Sequence, residues 1–148
     1  MTKSFFDNVA RGPSELLQTL PGLFYFAKDD EKRFVACSLN LCKLLGFKDE
    51  AELIGKTDFD VFDYDIAEKY RVDDEKVLTQ GASILNRVEL LEISEGENQW
   101  AITTKVPIYL KDGTVGGLEG ITRMIDSAEA HLEPSMILRK SVETIQQR

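Results

Sequence analysis

LPGLFYFAKDDEKRFVACSLNLCKLLGFKDEAELIGKTDFD, residues 20–60, is the stretch on which the fold turns. Leu23 to Ala27 is an aromatic-rich apolar run, Lys28-Asp29-Asp30-Glu31-Lys32 is a polar break, and Arg33 to Cys37 is a second apolar run, which together predict a β-hairpin. The period then changes. Leu41, Leu44 and Leu45 fall at i, i+3 and i+4 on one face of a helix, and Gly46 stands where a left-handed residue would stop it. Asp49 and Glu52 form a D-x-x-E capping pattern ahead of Leu53 and Ile54, and Gly55 closes that second short turn. Two strands feeding a run of short helices is an uncommon order for a barrel, a sandwich or a nucleotide-binding fold.

Upstream, residues 1–11 read as a loosely packed start, and Gly12-Pro13-Ser14 with Leu16, Leu17 and Leu20 predicts a short helix that Pro21-Gly22 ends. Downstream, residues 57–65 alternate acids with aromatic or β-branched residues, a pattern that periodicity alone would allow as a strand. A loop and helical turn is the better reading, because the acids would otherwise line a whole sheet face. Asp65-x-x-Glu68 then starts a helix through Thr79, with Ile66, Tyr70 and Val77 on one face, Asp73 and Asp74 as a polar interruption, and Gly81 at its end.

Three strand candidates follow with turn signals between them, at Ile84 to Ile93, Gln99 to Leu110 and Thr114 to Ile125, the pattern of an antiparallel meander. The middle strand carries Trp100, Ile102, Thr104, Val106 and Ile108 on one face and Ala101, Thr103 and Lys105 on the other. Pro107 belongs at an edge or bulge, and Gly116, Gly117 and Gly120 let something approach the last strand closely. In the tail, Leu132 is followed by a seam of Leu138, Val142 and Ile145, which needs either the sheet or a second copy of the chain to cover it. The helical pattern reaches Gln146-Gln147-Arg148 without a C-cap, which predicts a further domain beyond it.

At 148 residues the chain is read as one domain, and its 43% hydrophobic and 30% charged residues argue for a packed core over disorder. It has no apolar run near the ~20 residues that span a bilayer and no signal-peptide pattern, so a cytoplasmic location is expected. Cys37 and Cys42 suit buried free thiols of a reducing compartment better than a disulfide. Residues 49–75 hold eleven acids against Lys56, Lys69 and Arg71, which equals the whole net charge of −8. No basic patch is visible, so this segment itself is not expected to bind nucleic acid, and the acidic block reads as a solvated face with helix N-terminal charges.

The order of five strands, two and then three around helices, with a long trailing helix, resembles the PAS sensory domain over Leu20 to Asp126. The carriers are Leu20-Pro21-Gly22-Leu23-Phe24-Tyr25-Phe26 with Lys28-Asp29, Leu39 to Phe47, Glu52 to Asp58, Tyr70 to Asp74, Trp100 with Thr103-Thr104-Lys105-Val106-Pro107, and Gly117 to Arg123. The resemblance implies an α+β chain: a five-stranded antiparallel sheet with short helices on one face and a C-terminal linker helix. Its parts would be a flank and short helix at 1–20, the PAS domain at 21–126, and a helical linker at 127–148 toward an output domain. The Gly-Lys-Thr-Asp and Thr-Thr-Lys-Val-Pro runs are similar to those of PAS domains at the N-terminus of AraC-type transcription regulators. Similar domains also precede histidine kinases and cyclic-nucleotide synthases.

Heme in such sensors is usually held by a helical His, whereas the sole His here is His131, beyond the last strand; heme is therefore disfavoured. Flavin photosensors carry a reactive Cys in an Asn-Cys-Arg-Phe run, and Cys42 stands in a different context. Asp58 and Asp60 begin a calcium-loop spacing that Phe62 and Asp63 break, so a metal is disfavoured too. No catalytic constellation is evident, and a non-catalytic protein is expected. The resemblance puts Phe26, Cys37, Leu41, Leu45, Phe59, Phe62 and Ile66 around a pocket for a small organic ligand, with Arg87 and Thr104 as candidate polar groups. Which face of the strands points inward, and whether the pocket is open or filled by its own side chains, stays open at this level. The function implied is a ligand-binding and homodimerising sensor that controls a C-terminal DNA-binding domain, with no membrane contact; the alternative is a ligand-free dimerisation module.

Overall fold

The structure, a computed structural model, describes residues 20–94, 97–126 and 128. The helix expected before Leu20, His131, and the linker seam of Leu132, Leu138, Val142 and Ile145 lie outside the described residues.

Strands β1 (Leu23–Asp29) and β2 (Phe34–Cys37) form the hairpin. The turn is an Asp29 side-chain turn: its Oδ1 accepts from the N–H of Glu31 at 2.9 Å and of Arg33 at 3.0 Å. β1 runs two residues into what the sequence marks as polar break, taking in Lys28 and Asp29. A bulge between Ala27 and Lys28 shifts the register there, and Lys28 is 3% exposed. The strand continues because the Lys28 ammonium finds carboxylates inside the protein.

Four helices follow. α1 (Leu39–Leu44) is stopped at Gly46, whose φ of 87° is open to glycine without cost. In α2 (Glu50–Leu53) Asp49 accepts from Glu52 N–H at 3.3 Å, but Glu52 reaches back to Lys48 N–H, one residue earlier than a full capping box requires. α3 (Asp58–Val61) is a single turn in which Asp60 accepts from Thr57 N–H at 2.9 Å. α4 (Tyr64–Gln80) begins one residue before the Asp65 pattern and is flanked by Asp63; Glu68 turns outward to Arg71 instead of capping.

β3 (Ile84–Ser94), β4 (Glu97–Tyr109) and β5 (Val115–Met124) complete a five-stranded antiparallel sheet in the order β2-β1-β5-β4-β3. The last strand thus enters beside the first, and the expected α+β architecture, a five-stranded antiparallel sheet with short helices on one face, is what the chain adopts. Pro107 lies past Lys105, where β3 pairing has already ended, and next to a bulge at Ile108 and Tyr109.

The helices cover one sheet face. Phe26, Phe34, Cys37 and Leu118 from the strands pack with Cys42, Leu53 and Val77 from α1, α2 and α4. Gly120 lies under this layer: a Cβ there would stand 2.5 Å from the Phe26 ring and 2.9 Å from the Thr104 carbonyl. On the other face Ile102 and Ile125 pack with Val88 and Trp100.

Candidate functional site

The helix-covered face alternates by strand pleat through Phe24, Phe26 and Lys28 on β1, Thr103 and Lys105 on β4, and Thr122 and Met124 on β5. With Phe34 of β2, Leu41, Leu44 and Leu45 of the α1 segment, Asp58 of α3, Phe62, Tyr70 of α4, and Glu89, Leu91 and Glu92 of β3, these residues line a partly open cavity of about 100 Å³. Its wall is mostly apolar and aromatic, with a polar end.

That polar end is a buried cluster of four charges. Lys28 Nζ donates to Asp58 Oδ2 and to Asp74 Oδ2, each at 2.6 Å, and Lys105 Nζ donates to Asp74 Oδ1 at 2.9 Å. Asp74 is fully buried, and Lys28, Asp58 and Lys105 are each at most 5% exposed. Two lysines from the sheet and two aspartates from separate helices therefore cancel in the interior. The ammoniums also lie over rings, Lys28 at 5.0 Å from the Phe34 centroid and Lys105 at 5.5 Å from that of Tyr70.

The two aspartates titrate apart. Burial pushes the Asp74 carboxyl up, but attraction to Lys28 and Lys105 outweighs it and holds the group below the usual carboxylate range. At Asp58 burial, helped by the neighbouring Asp74 charge, outweighs the bond to Lys28 and the weaker attraction to Lys105, and the carboxyl is raised. For Lys28, burial lowers the ammonium's pKa, yet Asp58 and Asp74 keep it above the ordinary lysine value. Burial, with smaller contributions from Glu89 and Asp58, holds the Tyr70 phenol protonated well past its ordinary value.

Of the residues singled out in the sequence, Phe26, Leu41, Leu45 and Phe62 reach the cavity wall. Cys37 does not; it is buried in the adjoining core, and its thiol donates to the Ser38 carbonyl at 3.4 Å. Phe59 is 41% exposed and stacks against Tyr64, because in the one-turn α3 it is Asp58 and Phe62, four residues apart, that share the inner face. Thr104 lies on the opposite side of β4 from Thr103 and Lys105 and serves the β3 bulge, accepting from Asn86 N–H at 3.0 Å where Asn86 takes φ 50°. Arg87 and Ile66 line a second, outer cleft between α4 and β3. There Arg87 bridges Asp73 at 2.5 Å and Glu89 at 3.1 Å.

Lys28, Asp58, Asp74 and Lys105 are the polar residues that sequence reading passed over. The signal was present in part: Asp74 continues the Ile66, Tyr70 and Val77 face of α4, an acid in a buried stripe. Among the described residues no group of three His, Cys, Asp or Glu side chains could hold a metal ion, and no helix is long and apolar enough to cross a membrane.

A family model described as the PAS fold matches residues 17–130. No curated protein is matched by sequence. Among solved structures, the Vibrio cholerae VqmA dimer, described in relation to LuxR-type receptors, is 24% identical with a TM-score of 0.64 and covers 77% of this chain and 52% of its own. The Vibrio cholerae VqmA–ligand–DNA complex is 25% identical with a TM-score of 0.63, covering 74% of this chain and 49% of its own. The PAS domain of Bordetella pertussis BvgS is 18% identical with a TM-score of 0.57, covering 90% and 96%. The chain thus spans about half the length of the VqmA chains it matches.

Proposed function

The chain belongs to the PAS-fold family, and from that premise we propose that it is the non-catalytic sensory part of a cytoplasmic transcription regulator. It holds a small organic ligand between sheet and helices, pairs with a second copy, and passes its state through residues 127–148 to a C-terminal DNA-binding domain. The observation that carries this reading is the cavity itself, apolar along most of its wall and ending in Lys28, Asp58 and Lys105. Ligand sites have this composition, an apolar lining with a few fixed polar groups that set orientation. Its volume of about 100 Å³ falls well below the ~300–1,000 Å³ of drug-sized sites, so the ligand is small or the cavity widens to take it.

The VqmA likeness supports a ligand, a dimer and a DNA-binding output together, since the solved VqmA structures are described with all three. The Gly55-Lys56-Thr57-Asp58 and Thr103-Thr104-Lys105-Val106-Pro107 runs also point to DNA-binding regulators, of the AraC type; the two indications agree on the output and differ in its class.

Native mass spectrometry of freshly purified protein, with an absorbance scan, tests the ligand. A copurified small molecule supports the sensor, whereas an apo dimer that takes up no compound supports a ligand-free dimerisation module. Deleting residues 127–148 should weaken dimerisation, and an unchanged dimer would count against the tail seam. The coding sequence beyond Arg148 tests the output: a DNA-binding domain is expected, and a kinase core would overturn that part.

A further inference from the structure

We infer that the cavity is reached through the cleft between α4 and β3, that the Tyr70 side chain is the movable partition between the two, and that this route admits small uncharged molecules and turns anions away. This deepens the ligand-holding reading above and rests on it.

The cavity and the outer cleft share four wall residues, Tyr70 of α4 and Glu89, Leu91 and Glu92 of β3. The cleft is the larger, about 590 Å³ against about 100 Å³. As it stands the inner chamber is smaller than the ~150 Å³ apolar cavity that takes up benzene, so a ligand of one ring requires a wall to move. The α1 side of the wall, Leu41, Leu44 and Leu45, does not border the outer cleft, and the sheet side is fixed. Phe24, Phe26, Thr103, Lys105 and Thr122 stand on hydrogen-bonded strands, and Asp58 is bonded to Lys28. Tyr70 is held by ring contacts, edge-on to Phe62 at 5.1 Å and under the Lys105 ammonium at 5.5 Å. One turn further along α4, Asp73 is tied to Arg87 of β3. Together with the buried Ala67, Asp74 and Val77 of α4, that bond keeps the helix backbone on the sheet, so opening falls to the Tyr70 side chain.

The charges along this route decide what passes. The cleft carries Asp73, Glu89 and Glu92 against Lys69 and Arg87, and Arg87 is already shared between Asp73 and Glu89. Inside, Lys28 and Lys105 are matched by Asp58 and Asp74. An entering anion meets carboxylates at the mouth and finds no unmatched cation behind them, and a buried charge without a partner is strongly disfavoured. A cation fares no better at the rings, because Lys28 and Lys105 already occupy faces of Phe26, Phe34 and Tyr70.

Fluorine NMR exchange measurements on the full chain test this with fluorobenzene and its anionic counterpart 4-fluorobenzoate. The wild type should bind fluorobenzene and not 4-fluorobenzoate. Tyr70→Leu, which keeps an apolar side chain against the core, should speed both association and dissociation of fluorobenzene several-fold, while Tyr70→Phe leaves both rates near wild type. Glu92→Lys, at the rim, should give measurable 4-fluorobenzoate binding. Fluorobenzene bound with the same rates in Tyr70→Leu would overturn the partition, and wild-type binding of both probes alike would overturn the charge filter. If neither probe binds the wild type or Tyr70→Leu, the ligand-holding reading itself fails, a result distinct from the other two.

Discussion

Replacing Asp74 with leucine removes the carboxylate that the two buried lysines share. Asp74 is fully buried and accepts from Lys28 at 2.6 Å and from Lys105 at 2.9 Å. Without it, Asp58 remains bonded to Lys28, and Lys105, whose side chain is 6% exposed, becomes an ammonium with no carboxylate in its ion pair. Breaking a buried pair by removing one partner costs about 3–5 kcal/mol. That is a large share of the ~5–15 kcal/mol that holds a typical domain folded. At the ~2–4 °C per kcal/mol of a chain near this length, it corresponds to a fall in Tm of roughly 6–20 °C. Urea unfolding followed by the fluorescence of the single tryptophan, Trp100, measures it. The decisive comparison is Asp74→Leu with Lys105→Met, which leaves the balanced pair Lys28 and Asp58 and should recover more than half of the loss, although it changes one more residue. A double variant no more stable than Asp74→Leu alone would refute the charge balance of the buried cluster.

The same carboxylate sets an acid limb. Its folded pKa lies below that of the unfolded chain, near 3.9, so the stabilisation is present above that value and is lost as pH falls through the folded one; acid titration of stability should be flatter in the double variant below pH ~4. Gly120→Ala places a methyl 2.5 Å from the Phe26 ring and 2.9 Å from a backbone carbonyl, so it should lower the unfolding free energy by about 1–3 kcal/mol, seen as a lower urea midpoint at unchanged slope. Tyr25→Phe removes a 2.8 Å bond to Glu119 and should cost about 1 kcal/mol; in the wild type, burial and Glu119 should make this phenol ionise above the ordinary tyrosine value in an ultraviolet titration. Arg87→Met unties α4 from β3 and should raise amide hydrogen exchange around Asp73 while changing global stability by under ~1 kcal/mol, because the Arg87 side chain is 39% exposed.

Reading the sequence recovered the elements wherever a local rule decides them. The hairpin followed from two apolar runs about a polar turn, α1 from its leucine spacing and Gly46, and the meander from its turn signals. Capping patterns were less informative, since Glu52 bonds to Lys48 and Glu68 to Arg71, each competing with the reciprocal cap its spacing suggests. The apolar part of the cavity was legible too, through Phe26, Leu41, Leu45 and Phe62. Its polar part was not. Thr104 and Arg87 were the polar groups singled out, and the pleat sends one to the β3 bulge while the other lies in the outer cleft.

The sequence by itself determined the order of strands and helices, because hydrophobic period, glycine stops and turn residues are local properties of neighbouring positions. It also determined the excess of acid in residues 49–75. What only the tertiary structure decided is where those charges go. Lys28 looked like a turn residue, Asp58 a remnant of a failed calcium loop, Asp74 a flaw in a helix face, and Lys105 an undecided strand position. They are 30, 46 and 31 residues apart in their bonded pairs, so no local pattern joins them. The insertion of β5 between β1 and β4 brings Lys28 and Lys105 onto one face, and α3 and α4 cover that face with one aspartate each. A buried charge is tolerated only beside its partner, and partnership across such separations is a property of the folded chain alone.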